Sequence, residues 1–219
     1  MAEPATRRRG FMRIGFCPRP RAMDVADLAL TPLPDIVPDV LAPGLDLVIC
    51  GTAPGTISAA RQAYYANPGN RFWRILAETG LTPRLLRPEQ YPEMLAIGIG
   101  LTDVCKTAFG QDDTLPATGF DRARLAASLR RYRPGVLAFN SKRAASAFLG
   151  VPTGRLAYGR QEDLPEAELP AIFVLPSTSG LACRAWHAAP WHELAGHVAR
   201  LRAMRSAKLI TGSSRSTAL

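Results

Sequence analysis

Four short apolar runs set the frame of this chain: Leu47–Cys50, Ile99–Val104, Val136–Phe139 and Ile172–Leu175. Three of them are apolar throughout, the pattern of strands buried on both faces, and the second, Ile-Gly-Leu-Thr-Asp-Val, opens apolar and turns polar at Thr102-Asp103. Segments with helix signals lie between and after them: Asn70–Thr79 before Gly80, Pro88–Ile97 before Gly98, Asp121–Tyr132 before Pro134, Ser141–Leu149 before Gly150, and Pro190–Met204. Asn70, Asp121 and Ser141 are residue types that cap helix N-termini, because a short side-chain oxygen accepts an orphan backbone N–H. The glycines stand where a left-handed residue closes a helix. Strands alternating with helices imply an α/β fold, a parallel sheet covered by helices on both faces. Loops leaving the carboxyl ends of such strands converge on one rim, which is where open α/β sheets bind ligands.

Composition sets limits on this picture. At 219 residues and 47% hydrophobic content the chain can bury one substantial core. No apolar run approaches the roughly 20 residues of a membrane helix, so no membrane partner is expected. The formal charge of +9 is concentrated at the ends. Residues 1–21 carry six arginines against Glu3, and residues 200–219 carry Arg200, Arg202, Arg205, Lys208 and Arg215 with no acid. A basic balance suits a polyanionic partner, although basic termini are also common as solvated ends. Prolines 4, 18, 20, 32 and 34 mark residues 1–37 as a flexible leader; 38–205 reads as the folded domain and 206–219 as a disordered basic tail. Cys17, Cys50, Cys105 and Cys183 form no CxxC pair, and His187, His192 and His197 are spaced by five, so no metal site is expected. The chain reads as a cytoplasmic monomer.

The chemistry concentrates in the rim loops. Gly51-Thr52-Ala53-Pro54-Gly55 follows the first run and lacks both the Lys-Ser/Thr ending of a phosphate loop and a GxGxxG pattern. Tyr64-Tyr65-Ala66-Asn67-Pro68-Gly69 then leads into Asn70-Arg71-Phe72-Trp73, with Tyr65 placed to stack on a planar ring. Thr102-Asp103 ends the second run, and Ser177-Thr178-Ser179-Gly180-Leu181 follows the last.

These four motifs, in this order, resemble the mismatch-specific uracil/thymine DNA glycosylases of the uracil-DNA glycosylase superfamily. That family carries Gly-Ile-Asn-Pro-Gly, an aromatic-x-x-Pro-x-Asn-Arg-Phe-Trp segment, Gly-Val/Leu-Thr, and Asn-Pro-Ser-Gly-Leu. The resemblance spans about residues 40–205. It implies a three-layer α/β/α sandwich with a mainly parallel four-stranded sheet, and a monofunctional glycosylase without cofactor. The partner it implies is double-stranded DNA containing uracil or mismatches. Such an enzyme extrudes its target nucleotide, because a stacked base hides the bond to be cut. Tyr65 would stack on the extruded base, and Gly51, Thr52, Ala53, Pro54, Gly55, Ser58 and Asn67 would surround it. Leu181, presented by Gly180, would fill the vacated space in the duplex. Ser177, Ser179 and Arg184 would hold flanking phosphates, contacts that position the strand without reading sequence.

The chain departs from the family at Ala53, where the usual residue is an asparagine that positions the attacking water, and at Ser177, which also replaces an asparagine. Asp103, at the expected end of the second strand, is the candidate to take over water. The same departure leaves open a lesion- or mismatch-binding protein of this fold that does not cut. Asp112-Asp113 reads as a solvated loop, and neither Lys106 nor Lys142 carries a sign of burial or activation.

Overall fold

The computed structural model describes residues 34–162 and 170–213. Five strands form one sheet in the order β2-β1-β3-β5-β4: β1 is Leu47–Gly51, β2 Ile99–Asp103, β3 Val136–Phe139, β4 Gly159–Gln161 and β5 Ala171–Val174. Pairings β1–β2, β1–β3 and β3–β5 are parallel, and β4 runs antiparallel against β5 at the edge. The expected four strands are all present within a residue or two of the apolar runs. The sequence does not announce the fifth, β4: Gly-Arg-Gln has no apolar pattern, and the strand is held by pairing with β5 and by Glu193, whose carboxylate accepts the Arg160 N–H at 3.4 Å.

Side chains of successive strand residues go to opposite faces. On one face Leu47 and Ile49 of β1 and Val136 and Ala138 of β3 pack with helix α2 (Phe72–Glu78) and helix α5 (Ala189–Ser213) through Phe72, Leu76, Trp191 and Leu194. On the other, Val48, Cys50, Leu137 and Phe139 pack with α3 (Arg122–Tyr132) and α4 (Lys142–Leu149) through Leu125, Leu129 and Phe148. Three layers with two cores explain why the strands are apolar on both sides.

The caps work as the sequence suggests. Asp121 accepts the Arg124 N–H at 2.8 Å and Ser141 accepts the Ala144 N–H at 2.9 Å, while Gly150 closes α4 with φ +72°. Asn70 accepts the Phe72 N–H at 2.9 Å, so α2 starts two residues late. Pro88–Ile97 is a 3₁₀ helix with Pro92 inside it, a residue that has no N–H to donate to an α-helical ladder. A short helix α1, Thr56–Arg61, was not anticipated.

Both domain limits shift. Val37 is buried and the Ile36 N–H bonds the Lys106 carbonyl at 2.8 Å, so 34–37 pack with the domain instead of continuing the leader. Helix α5 runs to Ser213, so 206–213 are helical and not a disordered tail. Arg202 and Arg205 reach back to Asp46 at 2.9 and 2.6 Å, which ties two of the C-terminal cations to the domain. Residues 1–33 and 214–219, the rest of both arms, lie outside the described residues.

Candidate active site

The carboxyl ends of β1, β2, β3 and β5 open into one cavity of about 690 Å³. Its wall takes in the whole first loop Gly51–Gly55, Ser58 of α1, Tyr65, Asn67, Asp103, and Ser177, Ser179, Gly180 and Leu181 of the last loop. Residues drawn from positions 51 to 181 thus meet at one place. Of the residues expected from sequence, Arg184 alone is not part of the wall; it is exposed nearby in the chain.

Backbone hydrogen bonds pin the first loop. The carbonyls of Gly51, Thr52 and Pro54 accept the N–H groups of Val104, Cys105 and Gly110 at 3.0, 2.8 and 3.0 Å. Gly51 is required where it stands, because a Cβ there would run into Asp103 Oδ1 and lie 3.0 Å from the Tyr65 hydroxyl. Ala53 places a methyl group in the wall, with no hydrogen-bonding capacity. Ser58 is buried and its Oγ accepts the Ala66 N–H at 3.0 Å, so it braces the tyrosine loop as well as facing the cavity. Asn67 is exposed and caps its own turn, Oδ1 accepting the Gly69 N–H at 2.9 Å.

Tyr64 and Tyr65 divide their tasks. Tyr64 is a core residue whose ring meets Tyr91 edge-on and whose hydroxyl takes a hydrogen bond from Lys106 Nζ at 2.9 Å. Tyr65 sits at φ +53° with its ring stacked on Phe72, 3.7 Å between centroids and 22° between planes. One face of Tyr65 is therefore covered from within.

Asp103 is 2% exposed at the cavity floor. Burial pushes its carboxyl up to about 7; Lys106 and Arg124 pull it down, and Asp39 and Asp35 push it further up. Behind it lies an ion cluster that the sequence reading missed. Lys106, expected to be unremarkable, is 2% exposed, 2.9 Å from Asp39 Oδ1, and also bonded to the Val37 carbonyl. Arg124 binds Asp39 Oδ2 at 2.7 Å and the Asp103 carbonyl at 2.6 Å, and Thr102 donates to Asp39 at 2.7 Å. The Lys106 amine is not among the cavity residues.

Two further groups went unweighted or underweighted. Thr178, fully buried, locks the last loop to the end of β3: Asn140 Nδ2 donates to its Oγ1 at 2.8 Å and its N–H donates to Asn140 Oδ1 at 3.2 Å. Asp112 lies in an exposed turn, as expected, and that turn borders the cavity: Thr52 Oγ1 is 3.4 Å from its carboxylate, and partial burial raises its pKa. In the last loop the Ser177 and Ser179 hydroxyls accept the Ser179 and Leu181 N–H groups at 3.3 Å each, turns that hold Leu181 out at 81% exposure. A Cβ on Gly180 would lie 3.2 Å from the Gly69 carbonyl, so glycine lets the last loop approach the tyrosine loop.

A sheet whose strand ends gather into one polar-floored cavity under a protruding apolar side chain defines an α/β protein built to receive a ligand at its rim. A sequence profile described as the uracil DNA glycosylase superfamily matches residues 38–195, and the chain belongs to that superfamily. Its members act on DNA, cleaving N-glycosyl bonds. A solution NMR structure from Methanosarcina acetivorans, described provisionally as a uracil DNA glycosylase, shares the fold. It is 23% identical, with a TM-score of 0.51 over 74% of this chain and 96% of that one.

Proposed function

We propose that the protein is a monofunctional DNA glycosylase that hydrolyses the N-glycosidic bond of uracil, and of related deaminated or mismatched bases, in double-stranded DNA. The observation that carries this reading is the buried Asp103 carboxyl at the floor of the rim cavity, directly over Gly51. An extruded nucleotide entering from the mouth meets Tyr65 and the first loop on its way to that floor. As the C1′–N bond lengthens, charge builds on the base, and fixed donors aimed at its carbonyls lower the barrier. The Asp103 carboxylate takes a proton from water and stabilises positive charge on the sugar. Lys106 is committed to Asp39, Tyr64 and Val37, which supports water rather than an amine as nucleophile. Leu181 occupies the gap left in the duplex, and Ser177, Ser179 and Arg184 border the strand. The protein works as a monomer in the cytoplasm.

A second reading, a lesion-binding protein that does not cut, is favoured by Ala53 alone, whose methyl group cannot position water. A labelled uracil-containing duplex, incubated with the protein and treated with alkali to break abasic sites, separates the two. Strand breaks at uracil support the glycosylase; retarded, uncut DNA supports the binder. Asp103→Ala should remove most turnover while keeping affinity for a duplex with a non-cleavable uracil analogue, and full activity in that variant would sink the assignment of Asp103.

A further inference from the structure

Two buried oxygens converge at the floor of the cavity without a protein partner. Neither Asp103 Oδ2 nor the Tyr65 hydroxyl makes a hydrogen bond among the described residues, yet both are shielded from bulk solvent. Burial and then the Asp103 charge push the Tyr65 hydroxyl well above its ordinary pKa; Asn140 offsets a part of this from nearby but makes no hydrogen bond to it. Asn140 also commits only one amide hydrogen to Thr178. Carboxyl and hydroxyl both border Gly51, where an added Cβ would run into Asp103 Oδ1 and lie 3.0 Å from the hydroxyl. Buried polar groups are normally satisfied, so a site with two orphaned oxygens is suited to a small polar guest.

Tyr65 is held in this arrangement against its own preference. A bulky side chain at φ +53° is in a region that aromatic residues seldom occupy, and such conformations persist only where the surroundings impose them. Phe72 fixes the ring plane from one side. A ring needed only as a stacking platform would be served by phenylalanine, or by a tyrosine whose hydroxyl reached solvent. Here the hydroxyl points inward, to Asp103.

We propose that Tyr65 acts in catalysis through its hydroxyl, holding the attacking water together with Asp103 over Gly51. The inference rests on the glycosylase reading and deepens it. One O–H of the water is directed to Asp103 Oδ2 and the other to the Tyr65 oxygen, which leaves a lone pair for C1′ of the extruded nucleotide. The new O–C1′ bond forms as the C1′–N bond breaks; the bonding pair leaves with the base, and the water proton passes to the Asp103 carboxylate. With Ala53 unable to hold water, these two side chains do what an asparagine in the first loop would otherwise do. Tyr65 is then both platform and water ligand, and the two roles can be separated by substitution.

Turnover on labelled duplexes carrying uracil, hypoxanthine or xanthine, followed on the base that the wild type cuts fastest, makes that separation. Tyr65→Phe keeps the ring and its stack on Phe72, so KM should stay within about twofold while kcat falls about 100-fold, the usual effect of losing one preorganised polar group. Tyr65→Leu should raise KM as well. Asp103→Asn serves as the reference, and the thermal midpoint of each variant reports folding. If Tyr65→Phe turns over within about twofold of the wild type while Asp103→Asn is dead, the hydroxyl has no role and the inference falls, leaving the glycosylase reading intact. If Asp103→Asn cuts as well as the wild type, the water assignment fails and takes this inference with it.

Discussion

Replacing Asp103 with asparagine should stabilise the protein, and by an amount that grows as the pH rises. The side chain is 2% exposed and burial sets its pKa near 7, against about 3.9 for an aspartate in an unfolded chain. Between those values the native state holds a proton that the unfolded state has released. Native binding of the extra proton means that stability falls as pH rises through this window. The contribution is complete below about pH 4 and is lost by the time the pH has passed 7. A gap of about three pKa units corresponds to about 4 kcal/mol in total, or about 1.4 kcal/mol for each pH unit crossed. Asparagine fills nearly the same volume and cannot ionise, so the variant lacks this slope. Urea denaturation of wild type and Asp103→Asn at pH 5.5, 6.5, 7.5 and 8.5 provides the test, since other titrating groups cancel in the difference. The difference in unfolding free energy should increase by about 2 kcal/mol toward the variant from pH 5.5 to 8.5 and flatten above about 7.5. A difference that stays constant across the range would refute the buried, proton-retaining carboxyl. Above its pKa the wild type would keep a charged base in the site at the expense of stability, as functional sites commonly do.

Other consequences follow from the same geometry. Gly51→Ala would put a methyl group against Asp103 Oδ1, costing about 1–3 kcal/mol of stability by overpacking and displacing the carboxyl, so both the urea midpoint and turnover should drop. Asp39→Asn would leave Lys106 buried beside one fewer anion and release Arg124; removing one partner of such a pair costs about 3–5 kcal/mol, readable as a lower urea midpoint at pH 7. Leu181→Ala should slow cutting of paired duplex more than of single strands, because the exposed leucine compensates for stacking that a single strand never had; equal losses on both would count against the wedge.

Much of the architecture was readable because its signals are local. A strand buried on both faces writes itself as a continuous apolar run, which marks β1, β3 and β5; β2 shows in its apolar start and the turn signals that bound it. Asp121 and Ser141 announced α3 and α4 because an N-cap needs only its own turn. What escaped notice depends on distant residues. Strand β4 exists through its pairing with β5, and the far end of α5 is tied down by Asp46, more than 150 positions earlier in the chain. The rim loops stood out by their glycines, prolines and tyrosines, and they do share one cavity. The cluster of Asp39, Lys106 and Arg124 left no local mark, because three ordinary charged residues become a unit only when Val40 pairs with Leu101 and α3 packs beside β2. For the same reason the depth of Asp103 could be suspected from its place at a strand end, whereas the shift in its proton affinity required its neighbours.

Release of free base is the most direct test of the central claim. A duplex with a single uracil, mixed with excess protein at pH 8 where Asp103 is ionised, should yield free uracil equal to the amount of DNA, measured by mass spectrometry, and the same mixture with Asp103→Ala should yield almost none. Intact duplex bound to the wild type with no uracil in solution would contradict the account and leave a protein that recognises the lesion without removing it.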